Sequence, residues 1–298
     1  MTRIVCLGIV TVDRIWHMAE IPARPVKVPA DDFRETGGGM AATAAVAISA
    51  LGGRAELWSR VGDDGNGAWL RRQLAARGVG TDWVRVFPGA VTPCSAAFVD
   101  GGGERLLGVF RGRGLDDDPG WLPLASLDGA AAAMADVRWG KGAVRLFEEA
   151  RRRGIPSVLD ADIGEPAIVK AAARLAGHVV FSTAGLAQLT GSDGEEGLRR
   201  AAKEADGIVG VTLGAEGYMW IENGALRRAP GFAVAARDTT GAGDVFHGAY
   251  ALAIAEGRPL DHAARFANAA AALKCAAGNG WDGMPSRAEV EALMRQAH

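Results

Sequence analysis

The stretch Arg237-Asp-Thr-Thr-Gly-Ala-Gly-Asp-Val-Phe-His-Gly248 decides how the rest of the chain is read. It sets two threonines and two closely spaced glycines ahead of an apolar, alanine-rich run, with a carboxylate, Asp244, where that run begins. Such a run is a helix, and the first N–H groups of a helix have no partner within it. Gly241, Ala242 and Gly243 would supply those groups, and the helix dipole adds to their pull on an anion, most often phosphate. Small side chains let the anion approach closely. A carboxylate beside a bound phosphate is poor for binding alone, but it suits a base that takes a proton from an attacking hydroxyl. A plainer reading uses the same residues: Thr239 or Thr240 caps the helix and Asp244 complements its dipole.

Upstream, apolar runs rich in β-branched residues recur at 4–10, 55–61, 134–137, 157–159, 178–181 and 207–213. They read as strands buried on both faces. Helical segments lie between and after them, at 40–51, 67–77, 143–153, 166–176, 195–205, 243–256, 260–276 and 287–296. The alternation predicts an α/β fold: a Rossmann-like, mostly parallel sheet with helices on both faces. Two segments break the rhythm. Residues 13–34 alternate and carry Pro22, Pro25 and Pro29; residues 92–111 read as strands at 95–99 and 105–110 around the turn Asp100-Gly-Gly-Gly103. These segments predict a small antiparallel sheet laid over one edge as a lid. No linker divides the chain, so residues 1–298 are expected to form one domain.

The bulk numbers exclude several classes. Among 298 residues there are 33 Lys or Arg and 35 Asp or Glu, a net charge of −2, so a nucleic-acid partner is not expected. The three cysteines, Cys6, Cys94 and Cys275, are scattered and form no Cys-x-x-Cys pair, which suits reduced thiols in a cytoplasmic protein. The first apolar run, 4–12, is too short to span a membrane and lacks a cleavage-site pattern. Val61-Gly-Asp-Asp-Gly-Asn-Gly67 is not a Gly-x-Gly-x-x-Gly fingerprint at the first βα turn, and no Gly-x-x-x-x-Gly-Lys-Ser/Thr occurs. A nicotinamide-dependent oxidoreductase and a P-loop enzyme are therefore disfavoured. Glu35-Thr-Gly-Gly-Gly-Met-Ala-Ala-Thr43 precedes another alanine-rich helix and reads either as close packing or as close approach to a ligand.

Four of these elements together resemble the ribokinase-like (PfkB) carbohydrate kinase family, over essentially the whole chain: Gly8 to Asp13, Gly37-Gly-Gly39, Val61-Gly-Asp-Asp64 and Asp238-Thr-Thr-Gly-Ala-Gly-Asp244. The resemblance implies a β-lid that often forms a dimer contact, hence a homodimer through the lid, and ATP-dependent phosphorylation of a sugar hydroxyl with Mg2+. It implies Asp244 as catalytic base and Gly241, Ala242 and Gly243 as the anion hole. Asp13, Gly38 and Gly39 would hold sugar hydroxyls. Thr212, Gly214, Gly217 and Asn268 would line the ATP site, and Asp238 and Thr240 match a loop where K+ often binds. Ser182 and Gly185 stand where the family has Asn-x-x-Glu, so Mg2+ would rely on water and on Asp160 or Asp162, which also read as a helix cap and a loop carboxylate. Within the family the chain is most similar to the branch that phosphorylates 6-deoxy-6-sulfofructose, which implies O1 of a ketohexose as acceptor and Lys27 and Arg138 as sulfonate ligands. Val109 departs from that branch's asparagine, with Arg111 or Arg113 as replacement donors. The alternatives are a kinase for a neutral sugar such as fructose or ribose, a sugar-phosphate kinase, or a regulator that has lost catalysis.

Overall fold

The computed structural model describes residues 1–102 and 104–296. In chain order its strands and helices are β1 (Arg3–Leu7), β2 (Thr11–His17), β3 (Asp32–Gly38), α1 (Met40–Ala50), β4 (Arg54–Gly62), α2 (Gly65–Ala76), β5 (Val84–Phe87), β6 (Cys94–Val99), β7 (Arg105–Phe110), β8 (Ala132–Asp136), α3 (Gly140–Arg153), β9 (Ser157–Ala161), α4 (Pro166–Leu175), β10 (His178–Ser182), α5 (Thr183–Thr190), α6 (Glu195–Ala201), β11 (Ile208–Thr212), β12 (Tyr218–Glu222), β13 (Ala225–Ala229), α7 (Ala242–Ala255), α8 (Leu260–Ala277) and α9 (Arg287–Gln296). Nine strands form one sheet in the order β13-β12-β11-β10-β9-β8-β1-β4-β5; the other four form a second sheet, β3-β2-β6-β7.

The large sheet is parallel from β5 to β11 and antiparallel only at its β12–β13 edge. Its central strands are apolar throughout because both faces are covered. In β1, Ile4 and Cys6 enter the core beneath α1, α7 and α8, while Val5 and Leu7 enter the core beneath α3 and α4. Successive side chains of a strand point to opposite faces, so one strand serves both cores. The helices on the first face are packed through small residues. A Cβ on Gly248 of α7 would lie 2.5 Å from the Ala44 carbonyl oxygen of α1, which brings the two helices close.

The α/β architecture matches the alternation read from the sequence. Four elements do not appear in that reading: β5, the two strands of the β12–β13 hairpin and α5. The second sheet also differs from expectation, being mixed rather than antiparallel. β2 pairs β6 in parallel, with Asp13 opposite Ser95, while β2–β3 and β6–β7 are antiparallel. Parallel pairing needs a long crossover, and the chain from β3 through β5 supplies it. The turn expected at 100–103 is only partly covered, because Gly103 lies outside the described residues.

Candidate active site

The order of the large sheet reverses at β1: the chain builds β4 and β5 on one side of it and β8 to β11 on the other. Open α/β sheets bind ligands beyond the C-terminal ends of their strands at such a switch point. The residues just past those ends are Gly8 and Ile9 after β1, Asp136 to Arg138 at β8, and Asp162 after β9. Asp136, fully buried, organises them. Its carboxylate accepts the N–H groups of Ile9 at 2.9 Å, Ala41 at 3.0 Å and Arg138 at 2.8 Å. Burial raises its pKa and the three N–H bonds act in the opposite direction.

Above this edge lies a cavity of about 530 Å³. Its floor includes Ile9, Gly39, Arg138 and Asp162; its far end is the loop Ala236 to Thr240 with Asp244. Its roof is the small sheet, which contributes Asp13 and Ser95 and an apolar wall of Ile15, Ala97, Val99, Leu107 and Val109. Asp13 is partly buried, and its Oδ1 accepts the hydroxyls of Thr11 at 2.9 Å and Ser95 at 2.7 Å. Burial raises its pKa against those two hydrogen bonds. Its other oxygen borders Gly38, where a Cβ would sit 1.9 Å from Oδ2. Gly39 has φ +93°, and a Cβ there would lie 2.5 Å from the Ile9 carbonyl oxygen. Both glycines are thus required by close approach.

At the far end, Gly241 turns the chain into α7 in the left-handed region, φ +74°, the conformation glycine adopts at least cost. Neither threonine side chain caps the helix. The Ala242 N–H is taken by the Thr239 carbonyl at 3.2 Å. The Gly243 and Asp244 N–H groups have no backbone acceptor among the described residues, and nothing lies within 4 Å of a Cβ built on Gly243. Of the 241–243 set expected of the sequence, the Ala242 N–H is taken and the Gly243 N–H is open, with that of Asp244 beside it. Asp244 faces the cavity from the first turn of α7. Asp244 is half-buried, and desolvation of its carboxyl, with Asp160, Asp136 and Asp13 adding repulsion against the attraction of His247, holds its pKa well above the usual carboxylate range. The His247 ring supports this turn: Nδ1 lies 2.6 Å from the Gly243 carbonyl oxygen and 3.3 Å from Asp160, and Nε2 lies 3.2 Å from the Val180 carbonyl oxygen.

The cavity brings together Asp13, Gly39, Arg138, Asp162, Asp238, Thr240 and Asp244. It leaves others apart. Lys27 is exposed on the loop between β2 and β3 and does not line it. Arg138 does line it, but its guanidinium is held by Asp162 at 2.6 Å and by the Ile163 carbonyl at 2.6 Å. Asn268 is buried in α8 and donates to the carbonyls of Ala229 at 2.9 Å and Pro230 at 3.1 Å. Thr212 ends β11 with its hydroxyl on the Phe181 carbonyl at 3.3 Å; Gly214, φ +58°, is open to solvent, and Gly217 packs against Ala229. Val61-Gly-Asp-Asp64 is structural: Asp64 caps α2 through the Gly67 N–H and accepts the Thr92 N–H and hydroxyl.

Three site residues escaped the sequence reading. Asp136 was one apolar-looking strand's last residue. Arg105, at the start of β7, reaches from the roof to the hydroxyls of Thr240 at 2.7 Å and Thr239 at 3.1 Å. Lys274, in the last turn of α8, is 1% exposed beneath the Asp238 loop. Only the last carried a sequence signal, a lysine inside an alanine-rich buried helix.

No three His, Cys, Asp or Glu side chains among the described residues are gathered to hold a metal ion. Ser182 caps α5, accepting the Gly185 N–H at 2.9 Å and donating to Asp162 at 2.7 Å. Both Asp162 oxygens are thereby engaged, so this carboxylate suits Mg2+ only through water, which Mg2+ retains readily. Among the described residues no helix is long and apolar enough to cross a membrane.

A doubly wound sheet, a covered cavity at its switch point and bare amides beside a carboxylate make an arrangement suited to phosphoryl transfer. Residues 1–287 match the pfkB family carbohydrate kinase model, and the chain belongs to that family. It is an ATP-dependent sugar kinase. It is 27% identical to a ribokinase of Bacillus subtilis over 298 residues, covering 99% of this chain and 100% of the relative. It is 28% identical to an ATP-dependent ribose-1-phosphate kinase of Halopiger xanaduensis over 287 residues, 92% of each. The fold superposes on a crystal structure of a provisional ribokinase from Agrobacterium tumefaciens with a TM-score of 0.95 and 34% identity, over 99% of this chain and 98% of that one. An Arabidopsis thaliana ribokinase complexed with ribose and ATP shares the fold, with a TM-score of 0.85 and 23% identity over 99% and 98% of the chains. None of these relatives speaks for the sulfofructose branch.

Proposed function

We propose that the protein transfers the γ-phosphoryl of ATP to a hydroxyl of a small neutral sugar held under the roof by Asp13, with Asp244 as base. The observation that carries this reading is the Asp244 carboxyl, facing the cavity beside unpaired N–H groups at the start of α7. In this mechanism Asp13, with Gly38 against it, grips sugar hydroxyls and orients one toward Asp244. Asp244 accepts that hydroxyl's proton as the oxygen attacks phosphorus. The N–H groups of Gly243 and Asp244 hold the phosphoryl oxygens where charge concentrates. The apolar wall from Ile15 to Val109 displaces water from the cavity, which limits transfer of phosphate to water. Asp162 would hold magnesium through water beside the ATP phosphates, where the ion would supply charge neutralisation. Thr212, Gly214 and Gly217, at and beyond the end of β11, would line the nucleotide, while Asn268 would shape that region indirectly through Ala229 and Pro230.

A neutral sugar is favoured by the Arg138–Asp162 pair and by the absence of Lys27 from the cavity lining. A second reading has its own observation. A side pocket of about 50 Å³, lined by Arg60, Arg111 and Arg138, adjoins the cavity at Ile9. Arg60 stacks on Trp139 at 4.2 Å and pairs with Asp117 at 3.4 Å, whereas Arg111 forms no ion pair among the described residues. An anionic group at the sugar's far end, such as a sulfonate or phosphate, would suit these arginines.

An ATP-consumption panel of ribose, fructose, fructose 6-phosphate and 6-deoxy-6-sulfofructose decides between the two readings. Highest kcat/KM on ribose or fructose, unchanged by Arg111→Ala, is expected of a neutral-sugar kinase. Preference for an anionic sugar that Arg111→Ala abolishes replaces the first reading by the second. No turnover with any sugar removes Asp244 from the proposed role.

A further inference from the structure

Lysine is among the residues least often fully buried without a partner. Lys274 is 1% exposed, in the last turn of α8. Its ammonium carries three donors. Nζ donates to the Gly278 carbonyl, just beyond the helix end, at 3.2 Å. The end of a helix attracts positive charge through its unpaired carbonyls. Burial pulls the pKa of this lysine down, and Asp238, Cys275 and Asp244 pull it back up.

The same turn of α8 carries the loop that leads into α7. The Cys275 carbonyl accepts the N–H groups of Arg237 at 2.8 Å and Asp238 at 3.2 Å. Gly278 packs so closely that a Cβ would lie 3.3 Å from the Cβ of Asp238. Asp238 in turn accepts the Thr240 N–H at 2.8 Å, and the Thr239 carbonyl accepts that of Ala242 at 3.2 Å. A continuous run of contacts thus leads from the buried ammonium to the open N–H groups of Gly243 and Asp244.

An exchangeable monovalent cation, expected of the sequence at Asp238 and Thr240, does not fit this arrangement. Such an ion needs several free oxygens. The Cys275 carbonyl already takes two N–H groups, the Gly278 carbonyl takes the ammonium, and the Thr240 hydroxyl takes Arg105 at 2.7 Å. An added ion would also meet the repulsion of a like charge fixed beneath the loop.

We propose that the Lys274 ammonium stands in for that ion: a built-in positive charge that fixes the Gly278 carbonyl, braces the 238–241 loop packed on Gly278 and makes this kinase independent of potassium. Lys274 touches neither sugar nor phosphate and acts as a positioning residue through Gly278 and that loop. The inference rests on the kinase reading, so its test includes a readout that needs no turnover.

Initial rates and melting temperatures are compared in KCl, NaCl, RbCl and tetramethylammonium chloride at one ionic strength, for the wild type and for Lys274→Met, which keeps the length without the charge. The wild type should give the same rate and the same Tm in all four salts. Lys274→Met should lose kcat by about ten- to a hundredfold, the rate equivalent of one hydrogen bond to a charged group. It should recover part of that loss, and gain Tm, in KCl or RbCl alone. A wild type several-fold faster in KCl than in tetramethylammonium chloride overturns the proposal, as does a wild-type Tm raised selectively by potassium. A Lys274→Met enzyme with native kcat overturns it too. If that variant fails to fold, the wild-type salt series decides alone. If no sugar is phosphorylated, the kinase reading fails while the Tm series still reports on the cation.

Discussion

The two sheets enclose one cavity but are built in opposite ways. The floor rests on strands such as β1, β8 and β9, whose side chains are almost wholly buried between two helix layers. The roof ends in β7, every residue of which is exposed. Hydrophobic burial at roughly 25 cal/mol per Å² fixes the floor from both faces, whereas the outer roof has little to hold it. The chemistry is divided along the same line. Asp244, the open N–H groups and Asp136 belong to the floor and need fixed geometry. Asp13 sits where the roof joins the floor, and Arg105 reaches down from the roof's outer end. The comparison teaches that the floor should govern the chemical step and the roof the capture of sugar, and mutations can separate the two.

The largest effect is expected on the floor. Asp244→Asn should lower kcat by a factor of about 10² to 10⁴, because the amide cannot accept the hydroxyl proton. ATP affinity should change little. A variant with near-native kcat would erase the division of labour. The pH profile of the wild type makes the same point. A base works only when deprotonated, and this carboxyl is held above the usual range by desolvation. Activity should therefore be lost as pH falls, with its acid limb displaced upward from the value of about 4 typical of free aspartate. An acid limb at or below that value would contradict the desolvated base.

A middle-sized effect tests the junction. Gly38→Ala would place a methyl 1.9 Å from the present position of Asp13 Oδ2, forcing the carboxylate out of its sugar-facing position. KM for the sugar should rise by about tenfold to a hundredfold, the loss expected when one or two hydrogen bonds to a charged group are removed, with KM for ATP unchanged. A change confined to ATP would place the nucleotide, not the sugar, against Asp13.

The floor was far more legible in the sequence than the roof, and for the same reason. Strands buried on both faces leave unbroken apolar runs, so β1, β4, β8, β9, β10 and β11 were all foreseen. The start of α7 could be read because helix ends obey local chemistry, and Asp244 emerged with it. The β12–β13 hairpin was missed because Tyr218 to Glu222 mixes an apolar run with charge, and its partner strand contains Arg227 and Arg228. The mixed roof was missed because the β2–β6 pairing joins segments some eighty residues apart, which no local pattern records. Asp136 and Arg105 were missed because their importance lies in partners distant along the chain. Asp136 takes N–H groups from Ile9, just past β1, and from Ala41 of α1, and Arg105 meets hydroxyls more than a hundred residues away.

The smallest effect belongs to that last contact. Arg105 spans from β7 to Thr239 and Thr240, both hydroxyls lying at the surface, where ion-mediated bonds are screened and contribute little. If its task is to hold the roof over the phosphate-binding turn, Arg105→Ala should leave the melting temperature nearly unchanged, since β7 buries almost nothing. The cost should appear instead in water exclusion: the ratio of ATP hydrolysis without sugar to sugar phosphorylation should rise by about two- to tenfold, with kcat falling less than that. Coupled assays for ADP and for sugar phosphate on the same sample give that ratio directly. An unchanged ratio with a large loss of kcat would move Arg105 from the roof's work to the floor's, as a group acting on the phosphoryl itself.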